Sequence, residues 1–124
     1  MLGGWAPETV LADLAASQRS HYQVASFRDL AGRAQGPGAY LVVDVRFAYE
    51  WDAGHLPGAL NIPVPEIESF ARQMKPGTEI WAHCAGGYRA AIAASLLSRR
   101  GLSPVLVDDL FDNASAAGLD VVRN

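Results

Sequence analysis

From Tyr40 onward the chain alternates short β-like apolar runs with stretches spaced like helices, and this alternation restricts its fold more than any other feature. Repeated strand, helix and strand close most simply into an α/β domain, with one mostly parallel central sheet flanked by helices on both faces. Tyr40-Leu41-Val42-Val43 is the clearest strand. It follows the loop Gln35-Gly36-Pro37-Gly38 and ends in polar Asp44, as a buried central strand does. Residues 46–52 suffice for two helical turns, with Gly54 expected to supply a left-handed stop. His55-Leu56-Pro57-Gly58 then turns the chain into a second short strand at 59–62.

Pro65 is expected at the first position of a helix that carries Ile67, Phe70, Ala71 and Met74 on one face, closed by Lys75-Pro76-Gly77. Ile80-Trp81-Ala82 is the third strand and Val105-Leu106-Val107 the fourth. The helix between them presents Ile92, Ala93, Leu96 and Leu97 before Gly101 ends it. A last amphipathic run around Leu110, Phe111, Ala114 and Ala117 stops at Gly118, after which Val121-Val122 either rejoins the sheet or frays. Upstream, residues 6–16 have the make-up of a helix and residues 22–25 read as extended. Ser26 is a fair N-cap for a helix over 27–34, with Asp29 in its first turn.

The chain has 124 residues, half of them hydrophobic, which is enough for one core and too little for two. The division expected is a helical extension over 1–20 and the α/β domain over 21–124. Net charge is −3, and apart from Arg99-Arg100 the basic residues are scattered, so no footprint for nucleic acid or an anionic membrane is visible. The longest nearly uncharged apolar stretch, 90–97, is far too short to span a bilayer. With one cysteine, no disulfide can form within the chain, and no Cys/His cluster has zinc spacing. The start, Met1-Leu2-Gly3-Gly4-Trp5, lacks the basic and apolar regions of a secretory signal, so a reducing, cytoplasmic setting is expected.

That single cysteine, Cys84, opens the loop Cys84-Ala85-Gly86-Gly87-Tyr88-Arg89 between the third strand and its helix. A strand that feeds a helix N-terminus through a tight glycine loop aims backbone N–H groups and the positive end of the helix dipole at one point. An anion is favoured there, and a thiol is drawn toward its nucleophilic thiolate. Gly86 and Gly87 are expected to take backbone angles closed to other residues and so to curl the amides inward as a nest. Arg89 is placed to close the ring or to bind an incoming oxyanion in bidentate fashion. Reactive sites of open α/β sheets lie beyond the strand C-termini, so Asp44 and Arg46 are expected near the thiol.

Each residue also has a plainer reading. A lone cysteine in an apolar strand is often a small buried hydrophobe, and Asp44 and Arg46 can pair with each other or with Glu50. Neighbours on a strand point to opposite faces, so His83 is expected to be structural rather than a base for Cys84. His55 is expected to hold a turn by hydrogen bonding, and His21 has no evident partner. Trp5, Trp51 and Trp81 are most simply packing residues.

Two stretches together resemble the rhodanese-like sulfurtransferase family. The first is Asp44-Val45-Arg46 followed by Glu50-Trp51 and Gly54-His55-Leu56-Pro57-Gly58-Ala59-Leu60-Asn61-Ile62-Pro63; the second is the loop from Cys84 to Arg89 with its alanine-rich helix. The resemblance covers about 40–107 and implies a rhodanese-like domain over 21–124. It also implies that Cys84 takes a sulfane sulfur from a small-molecule donor as a persulfide, and that a thiol or cyanide acceptor then removes it. By the same analogy the N–H groups of Ala85, Gly86, Gly87, Tyr88 and Arg89 cradle the sulfur and Arg89 assists anionic substrates. Asp44, Arg46, Glu50 and His55 would support the loop, and no metal or organic cofactor is needed.

The loop wording is most similar to rhodanese modules of persulfide dioxygenases of the metallo-β-lactamase fold, which implies low-molecular-weight persulfides such as glutathione persulfide as donors. It lacks the extra loop cation of many thiosulfate-preferring members, so weak use of thiosulfate is expected. The chain departs from the family after the last strand. Asp108-Asp109-Leu110-Phe111 stands where Gly-Gly and a tryptophan are usual, so an acidic pocket wall and a displaced closing helix are expected. Gly3-Gly4-Trp5 itself resembles such a tail, as if the chain were cut from, or descended from, a larger protein.

Three alternatives stay open. A cysteine phosphatase or arsenate reductase is the first, since cell-cycle dual-specificity phosphatases share the fold and the following arginine, but their loop holds one more residue, and a ring sized for sulfur is tight for a phosphoryl group. A non-enzymatic docking or regulatory module is the second. In the third, Cys84 is a sulfur carrier serving one fused or bound partner of sulfur metabolism.

Overall fold

The structure, a computed structural model, describes residues 22–123. The expected helix at 6–16, the extension over 1–20, His21 and the Gly3-Gly4-Trp5 tail lie outside the described residues.

Five strands form one sheet: β1 (Gln23–Ala25), β2 (Leu41–Asp44), β3 (Leu60–Asn61), β4 (Glu79–His83) and β5 (Ser103–Val107), in spatial order β1-β5-β4-β2-β3. Every pairing is parallel. The helices are α1 (Phe27–Arg33), α2 (Ala48–Ala53), α3 (Ile67–Arg72), α4 (Tyr88–Arg99) and α5 (Asn113–Ala116), with a 3-10 turn at Val64–Glu66 before α3. Ser26 caps α1 as expected: its hydroxyl accepts the Asp29 amide at 3.1 Å, and the Asp29 carboxylate accepts the Ser26 amide at 2.9 Å. Pro65 lies in the 3-10 turn, one step earlier than the α-helix it introduces.

Strict alternation along the strands divides the core. Val43, Ile80, Ala82 and Leu106 face one side with Ile67 and Ala71 of α3 and Ala90, Ala93, Ala94 and Leu97 of α4. Trp81, Val105 and Val107 face the other, against Phe27 and Leu30 of α1 and Ala114 of α5. Burying a side chain the size of Ile80 or Leu97 contributes roughly 1.5–3 kcal/mol. The alanines of α4 leave room for the helix to lie close on β4 and β5.

Local expectations are revised at four places. Ile92 and Leu110 are exposed rather than in the core, because the buried stripe of α4 runs through the alanines and Leu110 sits in the turn before α5. Gly54 has φ 160°, which is extended backbone and not a left-handed stop. Its requirement is space, since a Cβ there would come within 3.0 Å of Val121 Cγ1. Val121-Val122 does not rejoin the parallel sheet; Val122 makes one antiparallel bridge to His55. No helix among the described residues is long and apolar enough to cross a membrane.

Candidate functional site

The C-terminal ends of β2, β4 and β5 open on one edge, and the Cys84 loop leaves β4 there. Cys84 Sγ lies on the α3/α4 side of the sheet, 1% exposed, and receives two backbone N–H groups: Gly87 N at 3.0 Å and Ala90 N at 3.3 Å. The chain reaches this geometry because Gly87 is left-handed, with φ 101° and ψ −22°, as the residue preceding α4. Gly86 has no left-handed φ, so one glycine, not two, makes the bend. The second donor belongs to Ala90, beyond the loop that sequence reasoning singled out. Alanine at 90, fully buried against the sheet, brings the first turn of α4 down onto the sulfur.

His83 and Cys84 diverge, as a strand requires. His83 is fully buried on the opposite face, edge-on to Phe27 at 5.3 Å and stacked with Phe111 at 5.5 Å. Neither ring nitrogen has a hydrogen-bond partner. Burial pushes its pKa down to about 4, with Asp44 opposing the shift and Arg46 adding to it, so the ring is neutral at pH 7.

Asp44 and Arg46 pair with each other. Arg46 Nε and Nη2 donate to the Asp44 carboxylate at 3.0 and 2.7 Å, the Arg46 amide donates to the same carboxylate at 3.0 Å, and Nη2 also reaches the Gly54 carbonyl at 2.7 Å. Both residues are buried, so the pair is a structural unit whose halves depend on each other. Asn61 Nδ2 ties the turn to β3 by donating to the Asp44 and Arg46 carbonyls at 3.0 and 2.9 Å. The link to the loop is indirect. Arg46 lies over the Phe111 ring at 3.9 Å, and the Phe111 amide donates to the Ala85 carbonyl at 2.9 Å.

Glu50 pairs with Arg89, not with Arg46. Arg89 Nη1 and Nη2 donate to the two carboxylate oxygens at 2.7 and 3.0 Å, and the Phe47 amide adds a third bond to Glu50 at 3.0 Å. The Arg89 hydrogen bonds hold the Glu50 carboxyl below its ordinary range against the opposing effect of burial, and the Glu50 hydrogen bond raises Arg89. The fork expected to meet an oxyanion is thus engaged by α2, clamping the loop's end to that helix. Tyr88 is 80% exposed at the rim.

His55 lies outside this cluster of bonds and secures the exit of α2. Its Nδ1 is 2.9 Å from the Trp51 carbonyl, its ring stacks on Trp51 at 3.7 Å, and its backbone pairs with Val122. Among the described residues no group of three His, Cys, Asp or Glu side chains is arranged to hold a metal ion. The segment after β5 completes the wall. Asp109 accepts the Phe27 amide at 3.0 Å, the Leu110 amide at 2.8 Å and Asn113 Nδ2 at 2.7 Å, so it fixes the turn into α5. Asp108 is exposed and lies against Gly87.

The Rhodanese-like domain family model matches residues 26–110. A putative sulfur carrier protein of Bacillus subtilis is 32% identical over 65 residues, 52% of this chain and 35% of that protein. An HTH-type transcriptional regulator of Mycobacterium tuberculosis is 34% identical over 91 residues, 72% of this chain and 40% of that protein. The chain thus spans well under half the length of these relatives. Among solved structures, a rhodanese-related protein of Thermoplasma volcanium superposes with a TM-score of 0.72 at 29% identity, covering 83% of this chain and all of that one. A rhodanese-like domain protein of Staphylococcus aureus gives 0.70, covering 79% and 96%. With the family model spanning more than half its residues and the same α/β architecture in its structural neighbours, the chain belongs to the rhodanese-like domain family.

Proposed function

We propose that this domain is a sulfurtransferase that carries a sulfane sulfur on Cys84. The observation that carries the reading is the convergence of the Gly87 and Ala90 amides on Sγ. Two main-chain donors and the N-terminus of a twelve-residue helix favour negative charge on that sulfur, and they cost nothing to reorganise during reaction. The Cys84 thiolate attacks the outer sulfur of the donor. A new S–S bond forms, the donor's S–S bond breaks, and its electron pair leaves with the donor thiolate, or with sulfite when thiosulfate is the donor. An acceptor thiolate or cyanide then attacks the outer sulfur of the Cys84 persulfide and returns the electron pair to Sγ.

The loop holds no cation of its own before Arg89, and Arg89 is engaged by Glu50, which supports low-molecular-weight persulfides such as glutathione persulfide over thiosulfate. A reducing compartment such as the cytoplasm suits a free thiol. One relative is a putative sulfur carrier, which supports hand-over from Cys84 to a fused or bound partner. A regulatory role is the second reading, favoured by the near-complete burial of Cys84 and by a relative that is a transcriptional regulator.

Intact-protein mass spectrometry separates the two readings. After incubation with glutathione persulfide, the protein is expected to gain one sulfur that cyanide removes and that Cys84→Ser never acquires. Protein that stays sulfur-free with every donor rejects the transfer reading in favour of the regulatory one.

A further inference from the structure

Asp108 stands at the loop with no counterpart in the chemistry described above. Its carboxylate occupies the space into which a Gly87 side chain would project: an ideal Cβ on Gly87 would collide with Asp108 Oδ1 and lie 3.3 Å from Asp108 Cα. The Gly87 amide is the nearer donor to Cys84 Sγ, so bond lengths place the carboxylate within about 8 Å of the sulfur. Strand register leads to the same place independently. Ala82 of β4 pairs with Leu106 of β5, and two residues further along both strands come Cys84 and Asp108. The position is held, because the Asp108 amide donates to the Ala25 carbonyl at 2.9 Å.

The charges around it are already matched. Arg89 is satisfied by Glu50, Arg46 by Asp44, and Asp109 by two amides and Asn113. Among the described residues no side-chain cation pairs with Asp108, so its negative charge faces the loop beside the N-terminus of α4, whereas the neighbouring rim is apolar: Leu110 is 59% exposed, 3.8 Å from where a Gly86 side chain would begin.

We propose that Asp108 is a specificity-determining residue of the Cys84 site, whose fixed negative charge turns away dianionic sulfur donors and favours organic persulfides that carry an amine near the sulfur. This rests on the sulfur-transfer reading and deepens it. At about 8 Å, and in a dielectric near that of water, one charge changes the approach of a unit charge roughly twofold and of a dianion roughly sixfold. The transfer step is unaltered; Asp108 acts on donor binding.

The test measures the rate of Cys84 persulfide formation with thiosulfate, the persulfide of cysteamine and the persulfide of 3-mercaptopropionate. The last two match in size and differ in charge. Asp108→Asn is expected to raise the thiosulfate rate about sixfold and to lower the cysteamine persulfide rate about twofold, chiefly through KM, with the differences shrinking in high salt. Asp108→Glu is expected to keep the wild-type order. Unchanged ratios among the three donors in Asp108→Asn overturn the proposal while leaving sulfur transfer intact. A wild-type protein that accepts sulfur from none of the three, nor from glutathione persulfide, overturns the transfer reading, and this inference with it.

Discussion

Arg89 grips Glu50 with both terminal nitrogens, at 2.7 and 3.0 Å, and so fastens the last residue of the Cys84 loop to α2. The sequence left Arg89 to close the ring or to bind an incoming oxyanion, and in the second case Arg89→Ala would mainly impair anionic donors. The clamp predicts something else. Arg89→Ala is expected to slow sulfur loading about tenfold by the same factor for thiosulfate and for a neutral persulfide, because what is lost is loop position. Glu50→Gln should reproduce most of that loss. Steady-state kcat/KM for both donors checks it, and a defect restricted to anionic donors would return Arg89 to direct substrate contact.

Cys84→Ser is expected to reduce sulfur transfer at least a thousandfold, since the hydroxyl forms no persulfide. The hydroxyl is smaller than the thiol but leaves an acceptor facing the Gly87 and Ala90 amides. Stability in urea should therefore change by no more than about 1 kcal/mol. Retained transfer in this variant, followed by release of thiocyanate from cyanide, would remove Cys84 from the mechanism.

Gly87→Ala and Gly86→Ala should differ sharply. At 87 a side chain forces a left-handed residue, costing roughly 1–2 kcal/mol, and drives its Cβ onto Asp108. At 86 the nearest obstacle is Leu110 at 3.8 Å, an ordinary contact. Denaturation midpoints are expected to fall clearly for the first and barely for the second. Equal sensitivity at the two positions would show that both glycines are needed for their backbone angles.

His83 gives the fold a pH dependence with a definite sign. Its pKa is about 4 in the folded protein and near 6.5 when unfolded, so between those values the unfolded chain binds a proton that the native one refuses. Stability attributable to His83 is constant above about pH 6.5, falls as pH drops toward 4, and changes no further below, for a total on the order of 3 kcal/mol. His83→Leu removes two unpartnered buried nitrogens and should flatten this part of the profile. Urea midpoints of both proteins at pH 7 and pH 5 measure it, and parallel profiles would contradict the assignment.

Much of the architecture was readable in the residues themselves. Alternating apolar runs from Tyr40 onward gave the strands of a parallel sheet, Ser26 and Asp29 announced the cap of α1, and period-two geometry separated His83 from Cys84. These follow from backbone periodicity and steric preference, which act over a few neighbours and so leave a local trace. Partnerships across the fold left none. That Arg89 would choose Glu50, that Arg46 would cover Phe111, that the second amide at the sulfur would be Ala90's, and that Asp108 would lie against Gly87 all depend on strand register and on how closely α4 settles on the sheet. Local sequence determined which elements form and where the thiol sits along them. Only the packed sheet, which brings residues tens of positions apart to within hydrogen-bonding distance, decided which groups surround that thiol and with what charge.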